Sequence, residues 1–339
     1  MPTMKDVAKE ANVSLGTVSN VLNNRSSVSL ENREKVMRAV QKLNYRPNSI
    51  ARYLKTNTTK SIGLVIPDIT NPYYPELFRG VEDVAKKNMY TVLLCNTDRN
   101  QDKEREYLQI LMDKKMDGII LVKPKLCMKE ITEVSKNCAL VLVDPDNDFR
   151  TDVDSIYLDM EGSIMEALQL LYMYNHRRIA YIEGLRDSQS CRTRKNLYMK
   201  FLREQGLPHD KDLIVKGDFT WISGYNCAMK LLNSKHPPTA IIASNDLMAL
   251  GAIKAINERQ LQIPSDISVL GFDDIDMASI STPPLTTIRH PKYEMGTLSV
   301  ETLLHRINSG NDYTVEPKRT LMMKTDIIVR KSVGYSNPK

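Results

Sequence analysis

Apolar residues at helical spacing predict three short helices within the first 45 residues. The first helix covers residues 3–11 and is capped by Thr3, the second follows Ser14 and ends near residues 23–24, and the third follows Ser29. The apolar positions that form their inner faces are Val7, Ala8, Ala11, Val18, Val21, Leu22, Val36, Val40 and Leu43. About three residues separate the first two helices, so these helices must cross steeply, as they do in a helix-turn-helix unit.

In a helix-turn-helix unit the second helix enters the major groove of DNA, and its first exposed residues meet the base edges. Asn20 can donate to and accept from adenine, whereas Leu15 offers apolar contact, for instance to a thymine methyl group. The residues that we expect to face the major groove are Ser14, Leu15, Gly16, Thr17, Ser19 and Asn20. A three-helix bundle with no role in DNA binding is the alternative that this pattern leaves open.

Residues 47–60 predict a short helix followed by a polar linker. Pro47 ends the preceding helix, and residues 48–55 provide about two turns of helix with Ile50, Ala51 and Leu54 on the apolar edge. A helix of this length is unstable alone, so we expect it to order only against a partner or DNA.

From residue 61 the pattern changes to apolar strands that alternate with amphipathic helices, which is typical of parallel βαβ units. The predicted strands cover residues 61–67, 90–95, 118–122 and 139–143 in a first series, and residues 155–158, 178–183, 213–216, 240–243 and 267–271 in a second. The predicted helices cover residues 72–88, 102–115, 128–137, 160–174, 194–205, 223–233 and 246–259. Two series of this length predict an α/β body with two lobes of doubly wound parallel sheets, and residues 285–288, 293–308 and 321–329 add elements that the lobes share.

Composition narrows the class of protein. With 42% hydrophobic and 26% charged residues over 339 positions, we expect a soluble globular protein of two or three domains. No apolar run approaches the length of a membrane span, and residues 1–6 lack the apolar core of a signal peptide. The five cysteines are widely spaced and never form C-x-x-C, so they suggest neither a disulfide framework nor a zinc site, and we expect a cytoplasmic location. The five histidines are equally scattered, and we expect ordinary loop or surface residues rather than metal ligands.

The positive charge is concentrated in the first sixth of the chain. Residues 1–60 hold 11 of the 47 Lys and Arg residues and four of the 41 acidic residues, which leaves 36 basic and 37 acidic residues in the remainder. A basic module on a neutral body is the electrostatic pattern of nucleic-acid binding, because phosphate neutralisation supplies most of the non-specific affinity. A solvated, lysine-rich helical face would give the same count, so charge alone does not decide between the two.

Polar residues follow the predicted strands of the body. Open parallel sheets bind ligands beyond the carboxyl ends of their strands, so two facing lobes predict a small-molecule site in the cleft between them. Carboxylate, amide and guanidinium groups with an aromatic face suit a ligand rich in hydroxyl groups. The residues at these strand ends are Asp68, Asn71, Tyr73, Tyr74, Ser188, Ser190, Arg192, Arg194, Asn245, Asp246 and Asp273. Some of them, Asn245 and Asp246 among others, are alternatively caps of the helices that follow.

The sequence lacks the motifs of common enzymes. It contains no G-x-S-x-G, no G-x-x-x-x-G-K-[ST], no G-x-G-x-x-G after a strand and no H-E-x-x-H. Acid pairs such as Asp273–Asp274 have no nucleophile or metal ligand beside them in the sequence. We therefore expect a protein that is not an enzyme and that needs no cofactor or metal.

These residues resemble a known family. Residues 3–8 (TMKDVA), 11–14 (ANVS) and 17–23 (TVSNVLN) resemble the helix-turn-helix of the lac-repressor (LacI/GalR) family of bacterial transcription regulators. Residues 45–48 (YRPN) and 51–54 (ARYL) are similar to the hinge helix of that family. Motifs that resemble the family's core lie at residues 71–74 (NPYY), 117–120 (DGII), 244–252 (SNDLMALGA), 271–274 (GFDD) and 284–288 (PLTTI), so the resemblance covers the whole chain.

The resemblance implies a homodimer or tetramer whose paired helices read a pseudo-palindromic operator, with a body of the periplasmic-binding-protein type. We expect a dimer, with Leu54 wedged into the minor groove at the operator centre. The hinge residues that would contact DNA are Asn48, Ala51, Leu54 and Lys55. The residues that would line the effector cleft are Tyr73, Tyr74, Ser190, Arg194, Phe219, Asn245 and Asp273. Effector binding would change lobe closure and thereby form or melt the hinge helix.

The resemblance also divides the chain into domains. Residues 1–46 are expected to form the helix-turn-helix DNA-binding domain, residues 47–60 the hinge helix and linker, and residues 61–339 the effector-binding and dimerisation domain. The first lobe is expected at about residues 61–158 and 289–320, and the second at about residues 159–288 and 321–339.

The implied function is that of a repressor of a carbohydrate-utilisation operon with a sugar or sugar-derivative effector. Arg186 adds a guanidinium group near Arg192 and Arg194, which suggests a sugar acid or sugar phosphate rather than a neutral sugar, although arginines often form salt bridges within a lobe instead. The alternatives are a regulator of another pathway with a non-sugar effector and a sugar-binding protein of a transport system. The basic helix-turn-helix argues against the transport protein.

Overall fold

The computed structural model describes residues 2–22, 28–45, 58–146, 152–185, 188–208, 210–309 and 317–336. The chain divides into two compact units, Met1–Thr59 and Lys60–Lys339. Within these residues, no helix is both long enough and apolar enough to cross a membrane.

The small unit contains the three predicted helices: α1 (Met4–Ala11), α2 (Leu15–Leu22) and α3 (Leu30–Lys42). Thr3 caps α1 in a capping box, in which the Asp6 carboxylate accepts a 2.8 Å hydrogen bond from the Thr3 amide. Asn12 follows in the left-handed conformation, which turns the chain sharply towards α2. Ser14 then caps α2, since its Oγ accepts a 3.0 Å bond from the Thr17 amide. The predicted hinge helix at residues 48–55 lies outside the described residues.

The three helices share one apolar core. Val7, Val18 and Val36 are fully buried at its centre, one from each helix. Ala8 and Ala11 are small enough to let α1 and α2 approach closely despite the short turn between them.

The large unit alternates strands with helices as predicted. Its strands are β1 (Ser61–Ile66), β2 (Thr91–Asn96), β3 (Gly118–Val122), β4 (Ala139–Val143), β5 (Asp154–Asp159), β6 (Ile179–Glu183), β7 (Ile214–Lys216), β8 (Ala240–Ala243), β9 (Ser268–Asp273), β10 (Thr286–Arg289), β11 (Thr320–Lys324) and β12 (Asp326–Ile328). Its helices are α4 (Tyr73–Lys87), α5 (Gln101–Asp113), α6 (Met128–Asn137), α7 (Glu161–Met173), α8 (Gln189–Glu204), α9 (Trp221–Leu232), α10 (Asp246–Glu258), α11 (Asp276–Ile280) and α12 (Lys292–Asn308), with a 3-10 turn at Lys211–Leu213.

These strands form two six-stranded sheets. The first lobe is built on the sheet with the order β11-β5-β4-β3-β1-β2, and the second on the sheet with the order β12-β10-β9-β8-β6-β7. All strand pairs are parallel except β10 with β12. The buried strands are almost continuously apolar, as expected for parallel strands covered by helices on both faces.

The last two strands are divided between the lobes. Residues 321–329 were expected to be shared between the lobes but were assigned to the second, whereas β11 pairs with β5 in the first sheet and β12 pairs with β10 in the second. Thr325 separates them, and its hydroxyl donates to the Asp159 carbonyl oxygen at 2.9 Å, which pins the chain where it passes between the sheets. Residues 155–158, which the pattern placed in the second series of strands and the expected boundaries placed in the first lobe, lie in the first sheet.

The helix that follows β10 also belongs to the first lobe, because α12 packs tightly along α4. A Cβ atom on Gly80 would lie 2.1 Å from the Tyr293 carbonyl oxygen, and one on Gly296 would lie 2.2 Å from that of Leu77. Glycine at both positions therefore permits the two helices to cross at backbone contact. Most helices of the body begin just after the carboxyl end of the strand that precedes them in the chain. The polar residues lie at these strand ends.

Candidate functional site

A cavity with about 390 Å³ of empty space, including its opening to solvent, lies between the two lobes at the carboxyl ends of their strands. All seven residues predicted for the effector cleft line it. The full set of lining residues is Asn71, Tyr73, Tyr74, Arg99, Lys123, Ser188, Ser190, Arg194, Phe219, Ser244, Asn245 and Asp273. The cavity thus lies where the strand ends of the two lobes meet, and the arrangement of polar, charged and aromatic groups is that of a small-molecule site.

Tyr73 and Tyr74 form the first-lobe wall at the start of α4. The Asn71 side chain accepts a 3.0 Å hydrogen bond from the Tyr73 amide, which fixes the entry into the helix. The two rings meet edge to face with centroids 5.1 Å apart. Burial raises the pKa of the Tyr73 phenol well above its ordinary value, so this hydroxyl stays protonated and can act as a donor.

Lys123 and Asp144 form an ion pair that the sequence analysis did not identify. They follow β3 and β4, both with positive φ, and the Lys123 ammonium lies 2.6 Å from an Asp144 carboxylate oxygen. Burial lowers the pKa of Lys123, but the Asp144 carboxylate and Tyr74 together oppose it, and the net effect raises this pKa above the ordinary value. Lys123 is therefore a permanent cation at the cavity wall.

Several contacts cross the cleft directly. The Lys123 ammonium donates to the Ser190 hydroxyl at 3.4 Å, and the Asp146 carboxylate accepts from the Ser190 amide and the Ser188 hydroxyl at the same distance. The Arg99 guanidinium lies 5.0 Å from the centre of the Phe219 ring in the opposite lobe. The lobes are thus in contact, and the hydrogen bonds at the start of α8 are long.

Arg194 lies deep in the second-lobe wall. One terminal nitrogen donates to the Ser244 carbonyl oxygen, and the guanidinium stacks 4.6 Å from the centre of the Phe272 ring. Its Nε has no hydrogen-bond partner among the described residues although it is buried. A ligand that accepts a hydrogen bond would satisfy it.

Asn245 and Asp246 have different roles. Asn245 caps α10 by accepting from the Met248 amide at 3.0 Å, and its side-chain nitrogen holds the Phe219 carbonyl oxygen at 3.0 Å, so it caps a helix and lines the cavity at once. Asp246 is fully buried away from the cavity, where it accepts from Thr287 and Ile275 at 2.6 and 2.9 Å. These hydrogen bonds within the second lobe account for the position of Asp246.

Asp273 supplies the one carboxylate among the residues that line the cavity. It ends β9 with φ 108° and is 6% exposed. Burial raises the pKa of Asp273 to about 6, although the neighbouring cations Arg194, Lys123 and Lys292 oppose the shift. This carboxyl group therefore titrates near neutral pH.

Two cations of the cavity wall, Arg99 and Lys123, were not predicted from the sequence. They follow β2 and β3, so their strand-end positions could have indicated them, but a lone cation after a strand is usually a solvated residue. His176 and His290 lie in loops, as expected, but both are buried. Arg186 lies outside the described residues, and Arg192 lies in α8 without lining the cavity.

The predicted DNA-contacting residues lie on α2 and its cap. Leu15 is 45% exposed and Gly16 is exposed, whereas Thr17, Ser19 and Asn20 are half-buried. The helix contains no charged residue, so its outer face offers amide, hydroxyl and apolar groups for contact. The hinge residues Asn48, Ala51, Leu54 and Lys55 lie outside the described residues. Within the part of the chain that the structure describes, no group of three or more His, Cys, Asp or Glu side chains could hold a metal ion.

A helix-turn-helix unit and a two-lobed body with a polar cleft define a ligand-controlled DNA-binding regulator. The model of bacterial regulatory proteins of the lacI family matches residues 3–48, and the model of a periplasmic binding protein-like domain matches residues 168–333. The HTH-type transcriptional repressor PurR of Pasteurella multocida is 37% identical over 337 residues, which cover 98% of this chain and 99% of that protein. The chain therefore belongs to the lacI family of bacterial regulatory proteins.

Solved structures agree with this assignment. The lac repressor dimer bound to operator and the anti-inducer ONPF matches with a TM-score of 0.86 and 29% identity, covering 98% of this chain and 99% of that one. A LacI family transcriptional regulator from Enterococcus faecium with bound ribose matches with a TM-score of 0.71 and 28% identity, covering 81% and 98%. These relatives are transcriptional regulators rather than enzymes, and the predicted fold class is confirmed.

Proposed function

We propose that this protein is a transcriptional repressor that binds a pseudo-palindromic operator as a dimer and responds to a small polar effector between its lobes. One observation carries the proposal: seven residues chosen from motif positions, from both lobes, line a single cavity in a chain that also contains a helix-turn-helix unit. Effector binding in the cleft would alter lobe closure and so the placement of the DNA-reading helices.

The dimer is supported by exposed apolar side chains on the second lobe. Trp221 and Ile222 at the start of α9, and Met277 and Ile280 in α11, are all exposed, with Ile280 at 78%. Large apolar groups on the surface favour association with a second copy of the chain. In a twofold dimer, each copy of α2 would bind one of the two half-sites of the operator. The lac repressor in the similar structure is itself a dimer on its operator.

We infer that the effector is a sugar or a sugar derivative and that the regulated genes serve carbohydrate use. Arg194, Asn245 and Asp273 can exchange hydrogen bonds with several hydroxyl groups, and Phe219 offers an apolar face to a sugar ring. The similar regulator from Enterococcus faecium holds ribose. Arg99 carries no ion pair among the described residues, so it could accept the carboxylate or phosphate of an acidic derivative.

A planar nucleobase is the second candidate, because Tyr73, Tyr74 and Phe219 present three aromatic rings to the same cavity. Calorimetry with matched ligands separates the candidates: a neutral sugar, its acid, its phosphate and a purine base. Micromolar binding of a neutral hexose without binding of its acid would exclude the acidic derivative.

The proposed function is tested first by selecting binding sites from a random duplex library at a fixed, stated salt concentration. We expect a palindromic motif of roughly 14 to 20 base pairs, the span of two half-sites about one helical turn apart. The same selection with added sugars, sugar acids and purines then identifies the effector by loss or gain of binding. Failure to enrich any motif under all these conditions would contradict the helix-turn-helix assignment.

A further inference from the structure

His290 lies directly behind the cavity carboxyl group of Asp273. It follows β10 and is 1% exposed, with its ring edge-on to Tyr73 at a centroid distance of 5.9 Å. Its Nδ1 is 3.3 Å from an Asp273 carboxylate oxygen. Neither ring nitrogen of His290 has a hydrogen bond of good geometry to any described residue.

The other buried histidine provides a contrast. In His176, Nδ1 contacts the Thr239 hydroxyl, and Nε2 contacts the Ser268 hydroxyl and the Gly334 carbonyl oxygen, all at 3.0 Å. The imidazole of His176 is thus fully satisfied by the surrounding protein. A buried imidazole without such partners is costly, so the position of His290 calls for a partner, and Asp273 is the titratable group in reach.

The backbone that carries Asp273 is fixed by contacts that do not involve the His290 side chain. Asp273 and Asp274 have φ values of 108° and 54°, and the Lys292 ammonium binds their carbonyl oxygens at 2.7 and 2.9 Å. Among the described residues, His290 is the one group that forms an ion-pair contact within 4 Å with the Asp273 carboxyl. His290 is therefore the described side chain that is placed to orient this carboxyl group.

We propose that His290 is a positioning residue for Asp273, and that the pair shares one buried proton between Nδ1 and the carboxyl oxygen. Above the titration of Asp273, a small rotation of the two side chains from their 3.3 Å contact lets neutral His290 donate its Nδ1 proton to the carboxylate. Below it, the protonated carboxyl donates to Nδ1, and the imidazole carries its proton on Nε2 instead. His290 thus changes tautomer without becoming charged.

The surrounding charges agree with this assignment. Burial, reinforced by Arg194, Lys123 and Lys292, lowers the pKa of His290 well below its ordinary value. The titratable and charged groups that act on the pair from neighbouring elements are Tyr73, Tyr74, Lys123, Asp144, Arg194, Asp246 and Lys292. Asp273 is therefore the member of the pair that titrates near pH 6.

The consequence for the proposed effector site is a dependence on pH. A hydroxyl group of the effector donates more strongly to the ionised carboxylate of Asp273 than to the neutral carboxyl group, so effector affinity should fall as the pH drops below about 6. This step rests on the proposed function, whereas the shared proton does not.

The test uses the full chain labelled with 15N in its histidines, with no ligand added. We expect the His290 nitrogens to report a neutral ring from pH 5 to 8 and a change from the Nδ1-protonated to the Nε2-protonated tautomer as the pH falls through about 6. His290→Gln assigns the signals, Asp273→Asn should abolish the change, and His176 serves as an internal reference that keeps one tautomer. An imidazolium signal that titrates near pH 6.5, or one unchanged tautomer in the parent protein, would overturn the proposal.

A stability profile provides a second readout that a purely structural histidine would not move. Without the Nδ1 donor the ionised carboxylate is less stable, so His290→Leu should move the titration seen in unfolding experiments to higher pH, while His290→Gln should keep it near the parental value. Equal profiles for the Leu variant and the parent would contradict the positioning role. If the His290–Asp273 pair behaves as expected but no effector changes DNA binding, only the proposed function would be contradicted.

Discussion

The Lys292 ammonium donates a 2.7 Å hydrogen bond to the main-chain carbonyl oxygen of Asp273. Lys292 begins α12 on the first lobe and is 2% exposed, whereas Asp273 ends β9 in the second sheet. The same ammonium reaches the Asp274 carbonyl oxygen at 2.9 Å and the Glu76 carboxylate at 3.1 Å. One buried lysine therefore joins the first lobe to the backbone from which the cavity carboxyl projects.

Replacement of this lysine should destabilise the body. Lys292→Met keeps much of the apolar stem but leaves two carbonyl oxygens without their donor, at a cost of about 1–3 kcal/mol for each group that stays unpaired. Thermal unfolding of the variant should occur at a clearly lower temperature than that of the parent. Lys86→Met, at an exposed position of α4, is the matched control and should have little effect. Identical unfolding of the two variants would show that the contact contributes no stability.

Asp273 should reduce the stability of the protein at neutral pH. Its pKa is about 6 in the folded chain and lies near 3.9 for an ordinary aspartate, so the folded state binds more protons between these values. The contribution of Asp273 to the free energy of unfolding is then greatest below pH 4. About 3 kcal/mol of this free energy is lost as the pH rises through 6.

Asp273→Asn removes this titration. We expect the free energy of unfolding in urea to be higher than that of the parent at pH 7 by up to about 3 kcal/mol, with the difference vanishing near pH 4. The variant should keep its operator affinity and lose its response to effector, since the amide offers one neutral acceptor oxygen in place of the two oxygens of the ionised carboxylate. A normal effector titration in Asp273→Asn or Asp273→Ala would show that the cleft assignment is wrong.

Local chemistry made much of this structure predictable. Thr3, Ser14 and Ser29 each precede a helix whose apolar spacing is visible in the sequence, and all three act as caps. The separation of β11 from β12 was not predictable in the same way, because it depends on pairing with strands far along the chain and on a crossing point at Thr325. Likewise, Asn245 and Asp273 could be placed at strand ends, but the burial of His290 follows only from how α4, α12 and β9 meet.

The hinge should affect DNA affinity without affecting the cleft. Leu54 lies outside the described residues, and its role follows from the resemblance to the hinge helix. Leu54→Ala should weaken specific operator binding roughly tenfold to 150-fold, because an apolar wedge of this size contributes about 1.5–3 kcal/mol when buried. Leu54→Met retains the apolar volume and should retain most of the affinity.

Binding of Leu54→Ala to non-specific DNA should match that of the parent, since phosphate contacts supply that affinity. Effector affinity measured by calorimetry should also be nearly unchanged. Equal operator affinity in Leu54→Ala and the parent would refute a role for this residue at the operator.

Asn20 tests whether α2 reads base edges. An amide that pairs with adenine contributes roughly 1–3 kcal/mol of discrimination, so Asn20→Ala should lower operator affinity roughly fivefold to 150-fold. Selection from a random library should show relaxed preference at one base pair in each half-site, with the rest of the motif retained. The dependence of affinity on salt should not change, because Asn20 carries no charge to pair with phosphate. Gln109→Ala removes an exposed amide of α5 in the body and should leave the selected motif as it is. If Asn20→Ala selected the parental motif with parental affinity, α2 would not read DNA through this side chain, and the contact would have to come from Leu15, Thr17 or Ser19.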